Sequence, residues 1–203
     1  MEKQKKKNLF QYGIFAVVAI TLYITGLHTE VIGFAQRGLL ATGLMNPNVE
    51  EITQMRNNTS DTTTLPDFTQ ADFNLKLIDG DGAIKSLADF KGKVIFMNFW
   101  ATWCPPCVAE MPSIAKLHKE MGDEVAFVML SFDQDFDKAK DFNKRKGYGL
   151  PIYAPASNLP EMYQSSALPT TYIIDASGKL VLTHKGMADY RDPEFRQFLN
   201  SLK

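Results

Sequence analysis

The two cysteines of the chain lie together as Cys104-Pro105-Pro106-Cys107. No other cysteine can pair with either of them. A disulfide stabilises a fold most when it closes a long loop, and a bond across two intervening residues closes almost none. The pair is therefore a poor structural staple. It is a good candidate for reversible thiol–disulfide exchange, with Cys104 and Cys107 forming a redox-active disulfide.

The elements predicted on either side of the pair favour this chemistry. The apolar run 94–100 predicts a strand buried on both faces, and the pattern that follows predicts a helix over 105–121. A helix N-terminus presents free N–H groups and the positive end of the helix dipole, which favour a thiolate at Cys104. Cys107, one turn further on, can attack a mixed disulfide and release the substrate as a dithiol. The two prolines fit the first helical turn, where a missing N–H costs little.

The other elements follow from alternating and helical patterns of apolar residues. Phe73, Leu75 and Leu77 alternate with polar residues, as in a half-buried strand, and the sequence DGDG after them predicts a hairpin turn. The predicted order is this hairpin followed by β–α–β–α–β–β–α, which is typical of an α/β domain. Beyond the elements already given, strands are predicted over 125–132, 170–175 and 179–184, and helices over 136–146 and 193–202.

The N-terminal segment predicts a membrane anchor. Residues 9–27 form an apolar run without a charged side chain, and four lysines within residues 1–8 precede it. At about 1.5 Å per residue, this run is long enough to span a hydrocarbon core. The positive-inside tendency places residues 1–8 in the cytoplasm and the rest of the chain outside it. A cleaved signal peptide is the alternative, although its apolar region is usually shorter, about 7–15 residues, and no A-x-A site follows here.

Residues 28–65 are predicted to be a stalk and linker, and residues 66–203 the folded domain. The first part of the stalk is either a short interfacial helix or a poorly ordered segment, and the Asn-, Thr- and Ser-rich part after it is typical of a linker. A domain outside the cytoplasm faces oxidising conditions. A dithiol there needs a dedicated partner to stay reduced.

Composition excludes several classes of protein. The chain is 45% hydrophobic and 22% charged, which argues against wholesale disorder. Its net charge of −1 gives no field that would attract nucleic acid. A structural zinc site usually needs four ligands, and the three histidines, His28, His118 and His184, form no second paired motif. No metal and no organic cofactor are implied.

The stretch FWATWCPPCVAEMP, from Phe99 to Pro112, resembles the thioredoxin-like oxidoreductases and, in its fuller form, their TlpA/ResA branch. That branch comprises membrane-tethered, extracytoplasmic thiol–disulfide oxidoreductases of bacteria, several of which serve cytochrome c maturation. The resemblance covers residues 66–203. It implies a thioredoxin-like fold with a central helix–strand insertion at about 133–155. It also implies protein dithiol or disulfide substrates and a membrane thiol-carrying electron donor.

The same resemblance assigns roles to particular residues. Leu168-Pro169-Thr170-Thr171-Tyr172 is similar to the loop whose cis-proline, here Pro169, lies opposite the dithiol and binds substrate together with Leu168. Glu110 matches the glutamate of the branch and is expected to accept the proton of Cys107. Asn98 stands where cytosolic thioredoxins carry a proton-transferring aspartate.

Two other residues of the motif, Pro112 and Trp103, have predicted roles of different kinds. Pro112 matches the proline that kinks the family's active-site helix. Trp103, next to Cys104, is expected to contact substrate, and the alternative is that it shields the thiol.

Two other functions remain open at this point. Reduction potentials of thioredoxin-fold proteins span about 150 mV, so the same chemistry could serve an oxidase rather than a reductase. A copper-binding assembly factor of the Sco type shares the fold, and His184 would be its distal ligand. The Sco type, however, uses a wider cysteine spacing than the pair found here.

Overall fold

A mixed β-sheet forms the centre of the computed structural model, which describes residues 2–25, 27–40, 49 and 69–203. Most of the predicted linker lies outside the described residues. Within them, seven strands pair in the order β2-β1-β5-β4-β3-β6-β7. The strands are β1 (Lys76–Asp79), β2 (Ile84–Ser86), β3 (Val94–Trp100), β4 (Val125–Ser131), β5 (Ile152–Pro155), β6 (Thr170–Ile174) and β7 (Leu180–Lys185).

The central strand β3 is buried along its whole length, as its continuous apolar run predicts. It pairs in parallel with β4 and antiparallel with β6. The strand β4 pairs in parallel with β5, which in turn pairs antiparallel with β1. Since both neighbours of β3 are themselves inner strands, the end of β3 has a fixed position in the sheet. The cysteine pair follows directly from that end.

Helices cover one face of the sheet. Phe96 and Trp100 of β3 pack there with side chains from three helices, whereas Ile95, Met97 and Phe99 point into a second apolar cluster on the opposite face. Short 3-10 helices at Leu87–Phe90 and Glu161–Tyr163 contribute to that second cluster. The helices are α1 (Glu2–Ile24), α2 (Leu27–Leu40), α3 (Pro105–Met121), α4 (Phe136–Lys146) and α5 (Pro193–Ser201), of which the last three cover the sheet.

The predicted elements of the domain are found with small shifts at their ends. The helix α3 spans the predicted residues, and α4 ends where predicted because Gly147 adopts a left-handed conformation with φ of 65°. The first strand differs, since pairing begins at Lys76 rather than Phe73. Leu75 is buried in the core although it precedes that strand. The predicted helix–strand insertion is present as α4 and β5, and β5 joins the sheet between β4 and β1.

The N-terminal residues form two helices, α1 and α2. Within the described residues, no single helix is both long and apolar enough to cross a membrane. Phe10–Ile24 of α1 and the whole of α2 are long and apolar enough to span a membrane only when they are counted as one segment. Their axes are bent by 96° relative to each other. Of the two alternatives for the start of the stalk, the structure shows a helix up to Leu40. The anchor over residues 9–27 stays a prediction.

Candidate active site

The cysteine pair lies at the N-terminus of α3, one short loop after β3. Cys104 is the N-cap residue of the helix, with extended backbone angles, and it forms a disulfide with Cys107. The two Cα atoms are 5.3 Å apart. Cys104 is 5% exposed and Cys107 is fully buried. Of the two sulfur atoms, that of Cys104 is therefore nearer to solvent, as expected for the sulfur that meets a substrate.

The first turn of α3 supplies a hydrogen-bond donor to the Cys104 sulfur. Pro105 and Pro106 occupy its first two positions and have no N–H group. The N–H of Cys107 therefore comes first, and it donates to Cys104 Sγ at 3.3 Å. In the reduced protein, the same donor and the positive end of the helix dipole would stabilise a thiolate at Cys104.

Asp133 fixes the loop between β3 and the cysteines. The N–H of Thr102 donates to its carboxylate at 3.0 Å, and the Thr102 hydroxyl donates at 2.6 Å. Ser131 Oγ also donates to this carboxylate, at 2.8 Å. Asp133 was predicted only as the start of the insertion, because nothing local in the sequence indicates that its partner lies 31 residues earlier. These bonds hold the chain immediately before Cys104.

Glu110 lies in the second turn of α3, and it is fully buried. Asn98 Nδ2, from β3, donates to one carboxyl oxygen at 2.8 Å, and the N–H of Ala188 donates to the other at 3.1 Å. Burial raises the pKa of Glu110 to about 8, and the two hydrogen bonds oppose this rise. Near neutral pH the carboxyl group of the oxidised protein therefore holds a proton, and it can exchange that proton within the working range of thiol chemistry.

A chain of hydrogen bonds continues from this carboxyl group into the sheet. Asn98 Nδ2 also donates to Thr171 Oγ1 at 2.9 Å, and the Thr171 hydroxyl lies 2.7 Å from the Tyr190 hydroxyl. Burial raises the pKa of Tyr190 well above its ordinary value, so this phenol stays neutral. Sequence reasoning found Asn98 and the motif containing Thr171. It missed Tyr190 and Ala188, for which the sequence carries no local signal.

The Leu168–Pro169 peptide bond is cis, as the family resemblance implied. Thr170 pairs with Phe99 near the end of β3, which places Pro169 beside the loop that leads to the cysteines. The N–H of Gly186 donates to the Pro169 carbonyl at 2.9 Å and holds the loop after β7 against it. Pro169 is buried and Leu168 is half-buried. The predicted proline loop and the disulfide therefore lie at the same edge of the sheet.

The two tryptophans of the motif have different surroundings. Trp100 is fully buried and packs against Phe142 of α4, with ring centroids 5.8 Å apart. Trp103 is 58% exposed, immediately before Cys104. A large exposed indole next to a reactive sulfur is suited to contact with another protein.

His184 lies in β7 opposite Thr171, and burial lowers its pKa. Within the part of the chain that the structure describes, no three histidine, cysteine, aspartate or glutamate side chains are grouped as a metal site would require.

Comparison with known proteins agrees with this geometry. The sequence pattern of the Redoxin family matches residues 60–199. The chain belongs to the Redoxin family. It is 36% identical to the thioredoxin-like protein YneN of Bacillus subtilis over 126 residues. This aligned segment covers 61% of this chain and 73% of YneN. It is also 36% identical over 117 residues to the thiol-disulfide oxidoreductase ResA of Bacillus thuringiensis subsp. konkukian. This aligned segment covers 56% of this chain and 66% of that ResA.

A solved structure shows the same architecture. The exposed lipoprotein thioredoxin of Streptococcus pneumoniae superposes with a TM-score of 0.53 at 33% sequence identity, over 63% of this chain and 98% of that one. The predicted thioredoxin-like fold and the enzyme class of thiol–disulfide oxidoreductases are confirmed.

The raised pKa of Glu110 predicts a pH-dependent loss of stability. Between pH 4.5 and about 8, the unfolded chain releases this proton while the folded chain keeps it. The free energy of unfolding of the oxidised protein should therefore fall as pH rises through this window, by up to about 1.4 kcal/mol per pH unit from this group. Glu110→Gln should remove this slope, as measured by urea unfolding at pH 5, 6, 7 and 8.

A matched control uses the same substitution elsewhere in α3. Glu120 is partly exposed on the helix surface, so Glu120→Gln should keep the wild-type slope. Parallel stability curves for the wild-type protein and Glu110→Gln would show that Glu110 does not hold its proton in this window.

Proposed function

We propose that this protein reduces disulfides in other proteins outside the cytoplasm, with Cys104 and Cys107 as the exchanging pair. The observation that carries the proposal is the disulfide at the N-terminus of α3, with Cys104 more exposed than Cys107 and the cis-proline loop beside it. This arrangement supplies a thiolate, a resolving thiol and a surface for the partner at one edge of the sheet.

The reaction begins with the dithiol form. The Cys104 thiolate attacks one sulfur of the partner's disulfide, so a mixed disulfide forms and the partner's other sulfur leaves as a thiolate that takes up a proton. Cys107 loses its proton and attacks Cys104 Sγ. This step forms the Cys104–Cys107 disulfide and releases the partner's second thiolate, which is also protonated. The partner gains two electrons from this protein and two protons, which balance the proton that Cys104 released to water when it ionised and the proton that Cys107 loses in the second step.

Glu110 is proposed to take up the proton of Cys107 during the second step. Only the ionised carboxylate can do so, and with a pKa of about 8 the ionised fraction of Glu110 grows as pH rises through this value. It lies one helical turn after Cys107, and both side chains are fully buried. A buried thiol without a nearby base would ionise poorly, because burial disfavours the thiolate. Asn98 cannot accept this proton, but its amide holds the carboxyl group of Glu110 in place. The pKa of about 8 brings Glu110 close to the ordinary range of a thiol.

The docking surface is proposed to include Trp103, Leu168 and Pro169. The indole of Trp103 supplies exposed apolar area next to Cys104. The chain at Leu168 and Pro169 precedes an inner strand and can meet an extended partner segment through main-chain hydrogen bonds. The electron donor that restores the dithiol is proposed to be a membrane protein that carries a thiol pair.

The location is proposed to be the outer face of a cell membrane, with the apolar run of residues 9–27 as the anchor. Large apolar side chains of α1, among them Phe10, Phe15 and Ile20, are exposed on a helix that packs little against the domain. Water is a poor environment for such a surface. The similarity to a protein named as an exposed lipoprotein thioredoxin supports the same location. Assistance to cytochrome c maturation is proposed as the role, by resemblance to the ResA branch.

Substitution of each cysteine should separate the two steps of the reaction. Cys104→Ser removes the attacking sulfur and should abolish the reduction of insulin by the full-length protein with dithiothreitol as electron donor. Cys107→Ser keeps the attacking sulfur and should accumulate a mixed disulfide that is visible on a non-reducing gel. Insulin reduction by Cys104→Ser at the wild-type rate would refute the assignment of Cys104.

Glu110→Gln should change the pH dependence of exchange. The wild-type rate of insulin reduction should show two ionisations, that of the Cys104 thiol and one near pH 8, and the variant should keep only that of the thiol. Glu120→Gln, with the same chemical change on the surface of α3, should keep both. A profile for Glu110→Gln that matches the wild type would contradict the proton-transfer role.

The direction of electron flow can be measured by trapping thiols in intact cells with an alkylating mass tag. A reductase that is fed by a membrane donor should carry Cys104 and Cys107 mostly as thiols, despite the oxidising compartment. A pair found mostly as a disulfide would favour an oxidase of the same fold.

A further inference from the structure

The N-terminal helix α2 packs directly on the first turns of α3, beside the cysteine pair. The two helices approach closely at Gly33, where a Cβ atom would lie 3.1 Å from the Pro105 carbonyl oxygen and 3.2 Å from Val108 Cγ1. The N–H nitrogen of Ala109 would lie 3.4 Å away. These distances are shorter than most contacts of a Cβ atom, so even a methyl group at position 33 would require the two helices to shift slightly apart. The backbone of α2 thus covers the same end of α3 that carries the disulfide.

The buried side of α2 continues from Gly33 towards the proline loop. Thr29, Gly33 and Leu40 are buried at helical spacing. Leu40 packs with Ala109 of α3 and with Met187. Met187 follows Gly186, the residue that donates a hydrogen bond to the Pro169 carbonyl. The helix α2 therefore extends across the surface between α3 and the loop after β7, which adjoins the proposed docking surface for a partner.

One ion-pair cluster fixes the other end of α2 on the domain. Glu30 accepts hydrogen bonds from Arg145 at 2.7 Å and from Lys146 at 2.6 Å, and its side chain is 22% exposed. Both basic residues belong to the last turn of α4. Ion pairs this close to solvent contribute little to stability. They position α2 without making its attachment permanent.

The helix α2 also carries polar atoms that burial leaves unsatisfied. Within the described residues, Gln36 Oε1 and Arg37 Nε are buried without a hydrogen-bond partner. A buried polar atom without a partner destabilises the state that buries it. The helix α2 is therefore held by a few close contacts and a partly exposed ion-pair cluster, as expected for a segment that can separate from the domain.

We propose that the surface made by Pro105, Val108, Ala109 and Met187 is part of the docking site for the partner protein, and that α2 occupies it as an internal competitor. This inference rests on the proposed exchange with protein disulfides and adds the kind of partner that the surface fits. The partner presents an apolar segment that has a small side chain, or none, at the position where it crosses Val108. Next to that segment it carries a carboxylate, which takes the place of Glu30 at the basic end of α4.

The competition should slow exchange with proteins. A partner binds only the fraction of molecules in which α2 has left the surface, so the apparent affinity falls by that fraction. Weakening the docking of α2 should therefore speed exchange, whereas the equilibrium potential of the cysteine pair should stay the same.

The test compares one substitution at two positions of α2. Gly33→Leu places a side chain against the Pro105 carbonyl and should lift α2 from α3. Gly38→Leu is the matched control, because Gly38 is exposed and a Cβ there would meet no described atom within 4 Å. Full-length proteins in lipid nanodiscs are assayed with insulin as the disulfide probe. Gly33→Leu should reduce insulin about tenfold faster than the wild type, and Gly38→Leu should match the wild type.

A second variant tests the ion-pair cluster. Glu30→Gln weakens both ion pairs and should raise the rate about twofold to fivefold, in line with the small free energy of exposed ion pairs. Hydrogen exchange should show lost protection in α2 for Gly33→Leu and unchanged protection in β3, which demonstrates that the domain remains folded.

The possible outcomes separate this inference from the proposed function. Equal insulin rates for the wild type and Gly33→Leu, with α2 shown by hydrogen exchange to be released, would overturn the inference and leave the exchange reaction standing. No insulin reduction by any of these chains would overturn the proposed function, and the inference would fall with it.

Discussion

The burial of β3 on both faces is the constraint on which the rest of the site depends. All seven residues of this strand are buried, and it is paired on both edges, so the point at which it ends is fixed. The chain must leave the sheet there and begin α3 within a few residues. Cys104 therefore stands at a helix N-terminus, where a thiolate is most stable. Asp133 secures the short connection through its bonds to Thr102.

The carboxyl group of Glu110 joins the separate parts of the site. Through Asn98 it contacts β3, and through the N–H of Ala188 it contacts the loop after β7. Thr171 connects the same network to the strand that follows the cis-proline. One buried ionisable group thus positions the helix, the sheet and the proline loop relative to one another. Burial brings its pKa to about 8, near that of a thiol, which suits the proposed role in proton transfer.

The helix α2 adds a second level of organisation to this domain. The cysteine pair and the proline loop form a surface suited to other proteins, yet the chain covers part of that surface itself. The close approach at Gly33 and the ion pairs of Glu30 hold α2 in place. Exposed apolar side chains such as Val31 and Phe34 remain on its outer side. A helix with one side on the domain and one apolar side outwards suits a segment between a membrane anchor and a catalytic domain.

The sequence by itself determined the features that depend on a few neighbouring residues. Pro105 and Pro106 indicated where α3 begins, and Gly147 marked the end of α4. The resemblance of the loop at Pro169 to that of a known family implied which peptide bond is cis. The tertiary structure alone decided the surroundings of Glu110, because its partners Asn98 and Ala188 lie 12 and 78 residues away. It also decided the pairing of Asp133 with Thr102 and the position of α2. Local preferences act within a turn or two of the chain, whereas burial and long-range hydrogen bonds exist only once distant segments pack together.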